Sequence, residues 1–380
     1  MAHRFQREFN RLLALVLLGL AGPATAQTAR SAASDSTPAQ PAIDFGEMEV
    51  EKFFDLHGEL DVEFEVDENG NTAFDLHNLE LFFNFNISKR ATVLAEVDFE
   101  DGAEIGEDVF EGKIALERAE IKLKLNKNFT LVAGRSLTPY GIYNQIRFAE
   151  PSFVFDRLPF SIYGAHPNAR GVLEVDLPEY VTGAQLQGEF PLSYGEVETY
   201  LYIGNDRGVN PSERTRLRTA HQTFGFRGRY VDGFGRIKLG ASHYRGRDFL
   251  NGNSDQQLTG VDLELTLGQL VLQAEATINK FDRLNANAVK IGNKRTATGY
   301  YLMGSVPVAG GVVTPFLRYD FYDPDIDDEA MGDDANETTV GFNVRAMKDV
   351  YVKAEQHLRG GNKSGFLRND AFDLSLAVAF

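Results

Sequence analysis

The sequence predicts an all-β transmembrane protein, an antiparallel up-and-down β-barrel of about 16 strands. Three observations predict this fold. Apolar and polar residues alternate with a period of two from residue 53 onward. Short connections between the predicted strands alternate with long ones, as in outer-membrane barrels. The last predicted strand ends in Phe380, the final residue. The mean hydropathy of -0.26 fits this class, because a barrel strand shows lipid only every second residue.

The N-terminus has the three parts of a secretory signal peptide. Arg4, Arg7 and Arg11 precede an apolar run from Leu12 to Leu20, and the small residues Ala24 to Ala26 follow. The apolar run is shorter than the roughly 20 residues that a spanning helix needs. We therefore expect residues 1–26 to be a signal peptide and residues 27–52, rich in Ser, Ala, Pro and Thr, to be a flexible periplasmic segment. The barrel is expected over residues 53–380.

The alternation is clearest in the first predicted strand. Phe54, Leu56 and Leu60 belong to one face, and Asp55 and Glu59 to the other. Such a pattern predicts a strand with one apolar face. The predicted strands cover residues 53–66, 74–87, 91–100, 113–125, 129–135, 180–190, 196–204, 221–231, 236–246, 257–267, 270–280, 296–307, 312–323, 336–346, 350–359 and 368–380.

The connections indicate which side of the membrane each strand end faces. Tight turns are predicted at residues 88–90, 126–128, 232–235, 268–269, 308–311 and 347–349. Between them lie longer polar segments, of which 136–179 is by far the longest. Tight turns at the periplasmic side and long loops outside are typical of outer-membrane barrels. Because the predicted strand number is even, the C-terminus is expected on the periplasmic side, where the first strand begins. The expected location of the protein is the bacterial outer membrane.

The closing strand carries the strongest single signal. Phe372, Leu374, Leu376, Val378 and Phe380 share one face. A last strand that ends in Phe resembles the signal by which the barrel-assembly machinery recognises outer-membrane proteins, which makes Phe380 a candidate assembly signal. The expected partners are therefore outer-membrane lipid and this machinery.

Composition excludes several classes of function. The net charge of -17 disfavours nucleic-acid binding. No two histidines have metal-ligand spacing on one strand face, so no zinc site is expected. The acidic segment 324–335 does not fit an EF-hand, which favours a solvated loop over a Ca²⁺ site. No serine nucleophile motif or phosphate-binding glycine loop is present, so neither an enzyme nor a cofactor is predicted.

Residues 117–160 show a further pattern. A strand with the sequence Glu-Arg-Ala-Glu-Ile-Lys-Leu-Lys-Leu leads into Val132-Ala133-Gly134-Arg135, then Pro139-Tyr140-Gly141, and later Asp156-Arg157-Leu158-Pro159. This order resembles the phosphate-selective porin O/P superfamily and its porin relatives. The resemblance implies a 16-stranded trimeric barrel whose long third loop folds into the pore. It does not imply phosphate as the solute, because this chain lacks the dense ladder of Arg and Lys on which those members rely.

The third long segment, 136–179, is therefore the predicted constriction. Ordinary loops are rarely longer than about 15 residues unless they are functional or disordered. The aromatic content argues against disorder, and an inward fold is favoured over an external cap. The aromatic residues are Tyr140, Tyr143, Phe148, Phe153, Phe155, Phe160 and Tyr163. Further candidates in or beside this loop are Arg135, Arg147, Asp156 and Arg157.

Alternation also assigns charged side chains to the inner wall. A basic patch is expected across one tight turn, formed by Arg227, Arg229, Arg236 and Lys238. The alternative is that these charges are solvated and mutually paired, and do not select ions. The other predicted basic pore-lining residues are Arg118, Lys122, Lys124, Arg318 and Arg345. The predicted acidic ones are Glu59, Asp61, Glu63, Glu65, Glu96, Asp98, Asp262, Glu264 and Glu275.

The predicted function is a passive channel for small hydrophilic solutes or ions. Two alternatives remain open. One is a plugged barrel with a structural or ligand-binding role, and the other is a barrel that hydrolyses lipids. Single-channel conductance separates the first alternative from a channel, and hydrolysis of phospholipid by the solubilised protein tests the second.

Overall fold

The structure is a computed structural model. It describes residues 53–67, 70–102, 113–167, 173–175, 177–206, 222–248, 254–282, 290, 292–327, 334–361 and 370–380. The predicted signal peptide and periplasmic segment, and most of the acidic loop 324–335, lie outside these residues.

Sixteen strands form one closed antiparallel barrel, which confirms the predicted fold class. Their order along the chain is also their order around the barrel, and the first strand closes it by pairing with the last. The barrel strands are β1 (Phe54–Asp67), β2 (Thr72–Ser88), β3 (Ala91–Gly102), β4 (Lys113–Lys124), β5 (Phe129–Leu137), β8 (Tyr180–Leu192), β9 (Gly195–Asn205), β10 (Gln222–Asp232), β11 (Ile237–Asp248), β12 (Ser254–Leu267), β13 (Leu270–Phe281), β14 (Arg295–Ser305), β15 (Val313–Asp323), β16 (Ala335–Met347), β17 (Val350–Gly361) and β18 (Ala371–Ala379).

The predicted strand ends differ from these bounds by three residues at most. The remaining two strands, β6 (Ala165–Pro167) and β7 (Leu173–Val175), form a separate small sheet within the long loop between β5 and β8. The same loop contains a 3-10 segment (Asn144–Ser152) and a short helix, α1 (Phe160–Tyr163). A second 3-10 turn, Ala309–Gly311, joins β14 to β15.

The barrel seam is closed at the chain's last residue. Phe380 donates its backbone N–H to the carbonyl of Gly58 and accepts the N–H of Gly58, both at 2.8 Å. A closed ladder leaves no open strand edge, and this is the condition for a sheet to cross lipid, where unpaired backbone groups are costly. Phe380 therefore completes the barrel, in addition to its predicted role in assembly.

The two faces of the wall differ as alternation predicts. In β18, Phe372, Leu374 and Leu376 are exposed, whereas Asp373 and Ser375 are buried. The same alternation places exposed large apolar residues on the outer face of many strands. They include Leu201, Ile203, Phe224, Phe226, Leu239, Val261, Ile278, Leu302, Leu317, Val340, Phe342 and Leu358. A closed 16-stranded barrel with an apolar outer surface is the architecture of the bacterial outer membrane, where this chain is located.

Within the described part of the chain, no helix is long and apolar enough to span a membrane.

Candidate channel constriction

The long connection between β5 and β8, residues 138–179, folds into the barrel, and we call it the constriction loop. Its aromatic side chains pack against the inner wall and are buried, as predicted. Tyr143 makes edge-to-face contacts with Phe153 and Phe155, at centroid distances of 5.0 and 4.9 Å. The cluster continues onto the wall through Tyr202, Tyr244, Tyr301, Met303 and Phe316. The side chain of Phe148 lies outside the described residues.

Glu275 of β13 holds the base of the loop. Its carboxylate accepts hydrogen bonds from the hydroxyls of Tyr163 (2.8 Å) and Tyr301 (2.8 Å) and from the backbone N–H of Ile142 (3.1 Å). Beside it, the hydroxyls of Tyr140 and Thr277 are 2.7 Å apart. Burial raises the pKa of Tyr140, Tyr143 and Tyr163, so these side chains remain neutral hydroxyls. The loop is thus held by hydrogen bonds as well as by aromatic packing.

Two glycines allow the loop to lie this close to the wall. Gly141 has a φ of 59°, a left-handed conformation that favours glycine. Gly299 of β14 lies directly beneath α1, where an added Cβ would be 2.0 Å from the carbonyl oxygen of Ser161. Ser161 also donates a hydrogen bond from its hydroxyl to Asp320 of β15 at 2.8 Å. The helix therefore has a fixed position across β14 and β15.

The far end of the loop reaches the barrel seam. Asp156 accepts a hydrogen bond from the hydroxyl of Ser375, and its backbone N–H donates to Glu355. Arg157 forms ion pairs with Asp373 (2.7 Å) and Glu65 (3.2 Å). These contacts join the tip of the loop to β17, β18 and β1. The loop therefore spans the lumen from its origin between β5 and β8 to the seam between β18 and β1.

A buried charge network supports the tip. Both ring nitrogens of His357 face carboxylates: Nδ1 is 2.9 Å from Glu337, and Nε2 is 3.0 Å from Asp373 and 3.2 Å from Glu355. Ionised carboxylates only accept hydrogen bonds, so this arrangement suits the positively charged imidazolium. Lys353 lies 3.9 Å from Asp156. This network was not predicted from the sequence, although its signal is recognisable in the alternating Lys353, Glu355, His357 and Arg359.

The predicted basic patch is mostly neutralised. Arg227 forms a two-pronged ion pair with Asp262, at 2.6 and 3.0 Å. Weaker pairs join Arg229 to Glu198 (3.6 Å) and Lys238 to Glu264 (3.3 Å). Arg236 lies in the tight turn, with its guanidinium 4.6 Å from the ring centre of Phe234. For Arg227, Arg229 and Lys238 the structure shows the alternative, paired charges, because each contacts an acid one or two strands away.

The other predicted basic residues divide into two groups. Those in the body of the barrel are paired: Arg118 with Glu96 (2.7 Å), Lys122 with Glu120 (3.2 Å) and Arg318 with Asp320 (2.7 Å). Lys124 and Arg345 are exposed beside tight turns, as Arg236 is. These three lie at one mouth of the barrel.

The predicted acidic residues belong to the inner face, and many are buried. Glu59, Glu96 and Asp98 are 3%, 4% and 6% exposed. Asp61 and Glu63 occupy successive inward positions in the middle of β1, and each has an oxygen within 4.8 Å of one on Asp156. A register shift between β1 and β2 occurs at these two residues. Such irregularities are a common means of redirecting side chains.

The two predicted arginines near the start of the loop lie in different places. Arg147 lies in the loop and pairs with Glu179 at 2.8 Å, which ties together its two ends. Arg135, by contrast, lies in β5, on the face opposite the buried Val132 and Ser136. It binds Glu117, an extra residue where the register of β3 and β4 shifts. Its assignment to the constriction was wrong, because the alternation of β5 places its side chain on the face opposite the buried inner one.

The fold resembles solved outer-membrane proteins at low sequence identity. The anion-selective porin from Comamonas acidovorans is 16% identical, with a TM-score of 0.57 over 86% of this chain and 99% of that one. OmpF of Salmonella typhi, in complex with daunomycin, is 12% identical, with a TM-score of 0.59 over 86% and 97%. The trimer form of OmpT, an outer-membrane protein of Vibrio cholerae, is 13% identical, with a TM-score of 0.53 over 86% and 99%. The chain therefore has a porin-like barrel fold.

No model of a known protein family matches the sequence. A search of curated protein sequences likewise finds no match.

Proposed function

We propose that this protein is a porin, a passive diffusion channel for small hydrophilic solutes or ions across the outer membrane. The observation that carries the proposal is the constriction loop, which lies inside a closed barrel and narrows a lumen lined by charged residues. A loop fixed to the wall by Glu275, Asp320 and Asp373 sets a size limit without needing to move. Charged groups around a narrowing select ions by their sign. Such transport requires no cofactor and no catalytic residue.

We also propose which group of porins the chain belongs to. The similarity of residues 117–160 to the phosphate-selective porin O/P superfamily supports membership of that wider group. The ion pairs of Arg118, Arg227 and Arg318 argue against phosphate as the solute, because paired bases offer no open ladder for an anion. A homotrimer is proposed as well, with the trimer form of OmpT as its support. We further propose that the barrel-assembly machinery recognises Phe380.

A plugged barrel is the second candidate, and one observation favours it. The constriction loop contacts the wall at β11, β13, β14 and β15 and again at β16, β17 and β18. A loop attached along so much of the wall covers more of the lumen than one attached at a single point. The two candidates differ in whether a water-filled path remains beside the loop.

Liposome swelling distinguishes a channel from a plug. The refolded protein is inserted into phosphatidylcholine liposomes, which are then diluted into isotonic sugars of increasing size. The channel hypothesis predicts swelling whose rate decreases from a pentose to a trisaccharide. Swelling no faster than that of protein-free liposomes, with the barrel shown to be folded by its circular dichroism, contradicts the channel and supports the plug.

A further inference from the structure

The acidic residues near the tip of the constriction loop differ from the other charges of the inner wall. In the body of the barrel, the predicted basic residues Arg118, Lys122, Arg227, Arg229, Lys238 and Arg318 each have a carboxylate within 4.0 Å. The field of a close pair of opposite charges decays much faster with distance than that of a single charge. These pairs therefore contribute little to the choice between anions and cations.

Asp61 and Glu63 are not neutralised in this way. Oδ1 of Asp61 is buried and has no hydrogen-bond partner among the described residues. Glu63 has His77 at 3.6 Å, a half-exposed imidazole that is charged only when it is protonated. Asp156, the third carboxyl group within 4.8 Å, is partly protonated at neutral pH because burial raises its pKa to about 7, and Lys353 lies 3.9 Å from it. Negative charge therefore exceeds positive charge at this point of the wall.

The position of this acidic pair gives its charge influence over permeation. Glu63 pairs across the barrel seam with Ser375, and the hydroxyl of Ser375 binds Asp156 at the tip of the loop. Asp61 and Glu63 therefore lie at the depth where the loop meets the wall. Low-dielectric walls concentrate the field of fixed charges in such a narrow region.

The unpaired basic candidates do not oppose this field. Lys124, Arg236 and Arg345 are exposed beside the tight turns, at the end of the barrel away from the long loops. Charges exposed to solvent are screened over about 8 Å at physiological salt. Their effect is therefore confined to the mouth, whereas ions must pass the constriction.

We infer that the channel prefers cations, and that Asp61 and Glu63 set this preference. The inference rests on the proposed channel function and names its substrate class: small inorganic cations and cationic hydrophilic solutes. The two carboxylates act through their electrostatic field, which attracts cations to this narrow region. Anions are repelled at the same point.

The reversal potential across a planar bilayer tests the inference. With a tenfold KCl gradient, the wild-type protein is expected to show a reversal potential of the sign that K⁺ selectivity produces. The double variant Asp61→Asn/Glu63→Gln keeps the shape of both side chains and removes both charges. Its permeability ratio for K⁺ over Cl⁻ is expected to fall at least twofold. Asp55→Asn, a change on the same face of β1 near the mouth, is the matched control and leaves the ratio unchanged.

Each other outcome has a defined meaning. An anion preference of the wild-type protein overturns the inference without need of any variant, and leaves the proposed channel intact. An unchanged ratio in the double variant overturns the role of Asp61 and Glu63. An absence of current from folded wild-type protein overturns the proposed function, and the inference with it.

Discussion

The hydroxyl of Tyr163 donates to the carboxylate of Glu275, lying 2.8 Å from Oε1 and 2.9 Å from Oε2. The same hydroxyl accepts the backbone N–H of Tyr143 at 3.0 Å. One side chain thus joins the wall to two distant points of the constriction loop. All three groups are buried, so the loop and the barrel wall are expected to unfold as one unit.

Replacement of this hydroxyl tests that coupling. Tyr163→Phe leaves the ring in place but deprives Glu275 of a donor and the N–H of Tyr143 of an acceptor. The expected loss is about 1–3 kcal/mol in the free energy of unfolding, because buried polar groups without partners are costly. Urea titration of the protein in lipid vesicles measures it. Tyr194→Phe, at an 85% exposed residue in a turn, is the control. Equal stabilities of the two variants contradict the proposed role of Tyr163.

The contact between Gly299 and Ser161 leads to a second prediction. Gly299→Ala introduces a Cβ into the space of the Ser161 carbonyl and is expected to displace α1 from β14. If the loop narrows the lumen, the variant has a larger single-channel conductance or more current noise than the wild type. Gly228→Ala is the matched control, because nothing lies within 4 Å of its added Cβ. Identical conductances of both variants and the wild type would show that α1 does not limit the path.

The ion pair between Arg227 and Asp262 gives a third prediction. Arg227→Met leaves a buried carboxylate without its partner, and the expected cost is about 3–5 kcal/mol. The double variant Arg227→Met/Asp262→Leu is expected to recover most of this loss. Arg229→Met breaks a longer and more exposed pair and should cost less than about 1 kcal/mol. Denaturant titrations of wild type, Arg227→Met, Asp262→Leu and the double variant measure the coupling, and additive effects of the two single changes would refute it.

Asp156 gives the fold a predicted pH dependence. Burial raises the pKa of Asp156 to about 7. A carboxyl whose pKa is higher in the folded state than in the unfolded state favours folding below its unfolded pKa, near 4. This contribution is lost as the pH rises through about 7. The difference in stability between wild type and Asp156→Asn should therefore shift in favour of Asn between pH 4 and pH 8. A pH-independent difference argues against a buried, protonated Asp156.

The barrel was predictable because its signals in the sequence are local and repeated. Alternation within each strand reflects which side faces lipid, and the lengths of the connections reflect the side of the membrane. Neither requires knowledge of distant contacts. The aromatic content of residues 138–179 similarly indicated a buried loop, because exposed aromatics such as Tyr143 and Phe155 would be unfavourable in water.

The charge pairing was beyond sequence analysis for a geometric reason. Alternation assigns Arg227 to the inner face but does not say that Asp262, two strands away, lies beside its guanidinium. That contact depends on the register of β10, β11 and β12 together. Residues that meet across the lumen, such as Arg157 and Asp373, are still harder to pair, because the path of the loop decides their contact.

The proposed channel requires a water-filled path beside the constriction loop. Single-channel recording detects such a path: folded wild-type protein is added to a planar lipid bilayer in 1 M KCl. Discrete current steps of uniform size are expected, and they increase in the Gly299→Ala variant. Insertion of folded barrels without any current step, in wild type and variant alike, would contradict it.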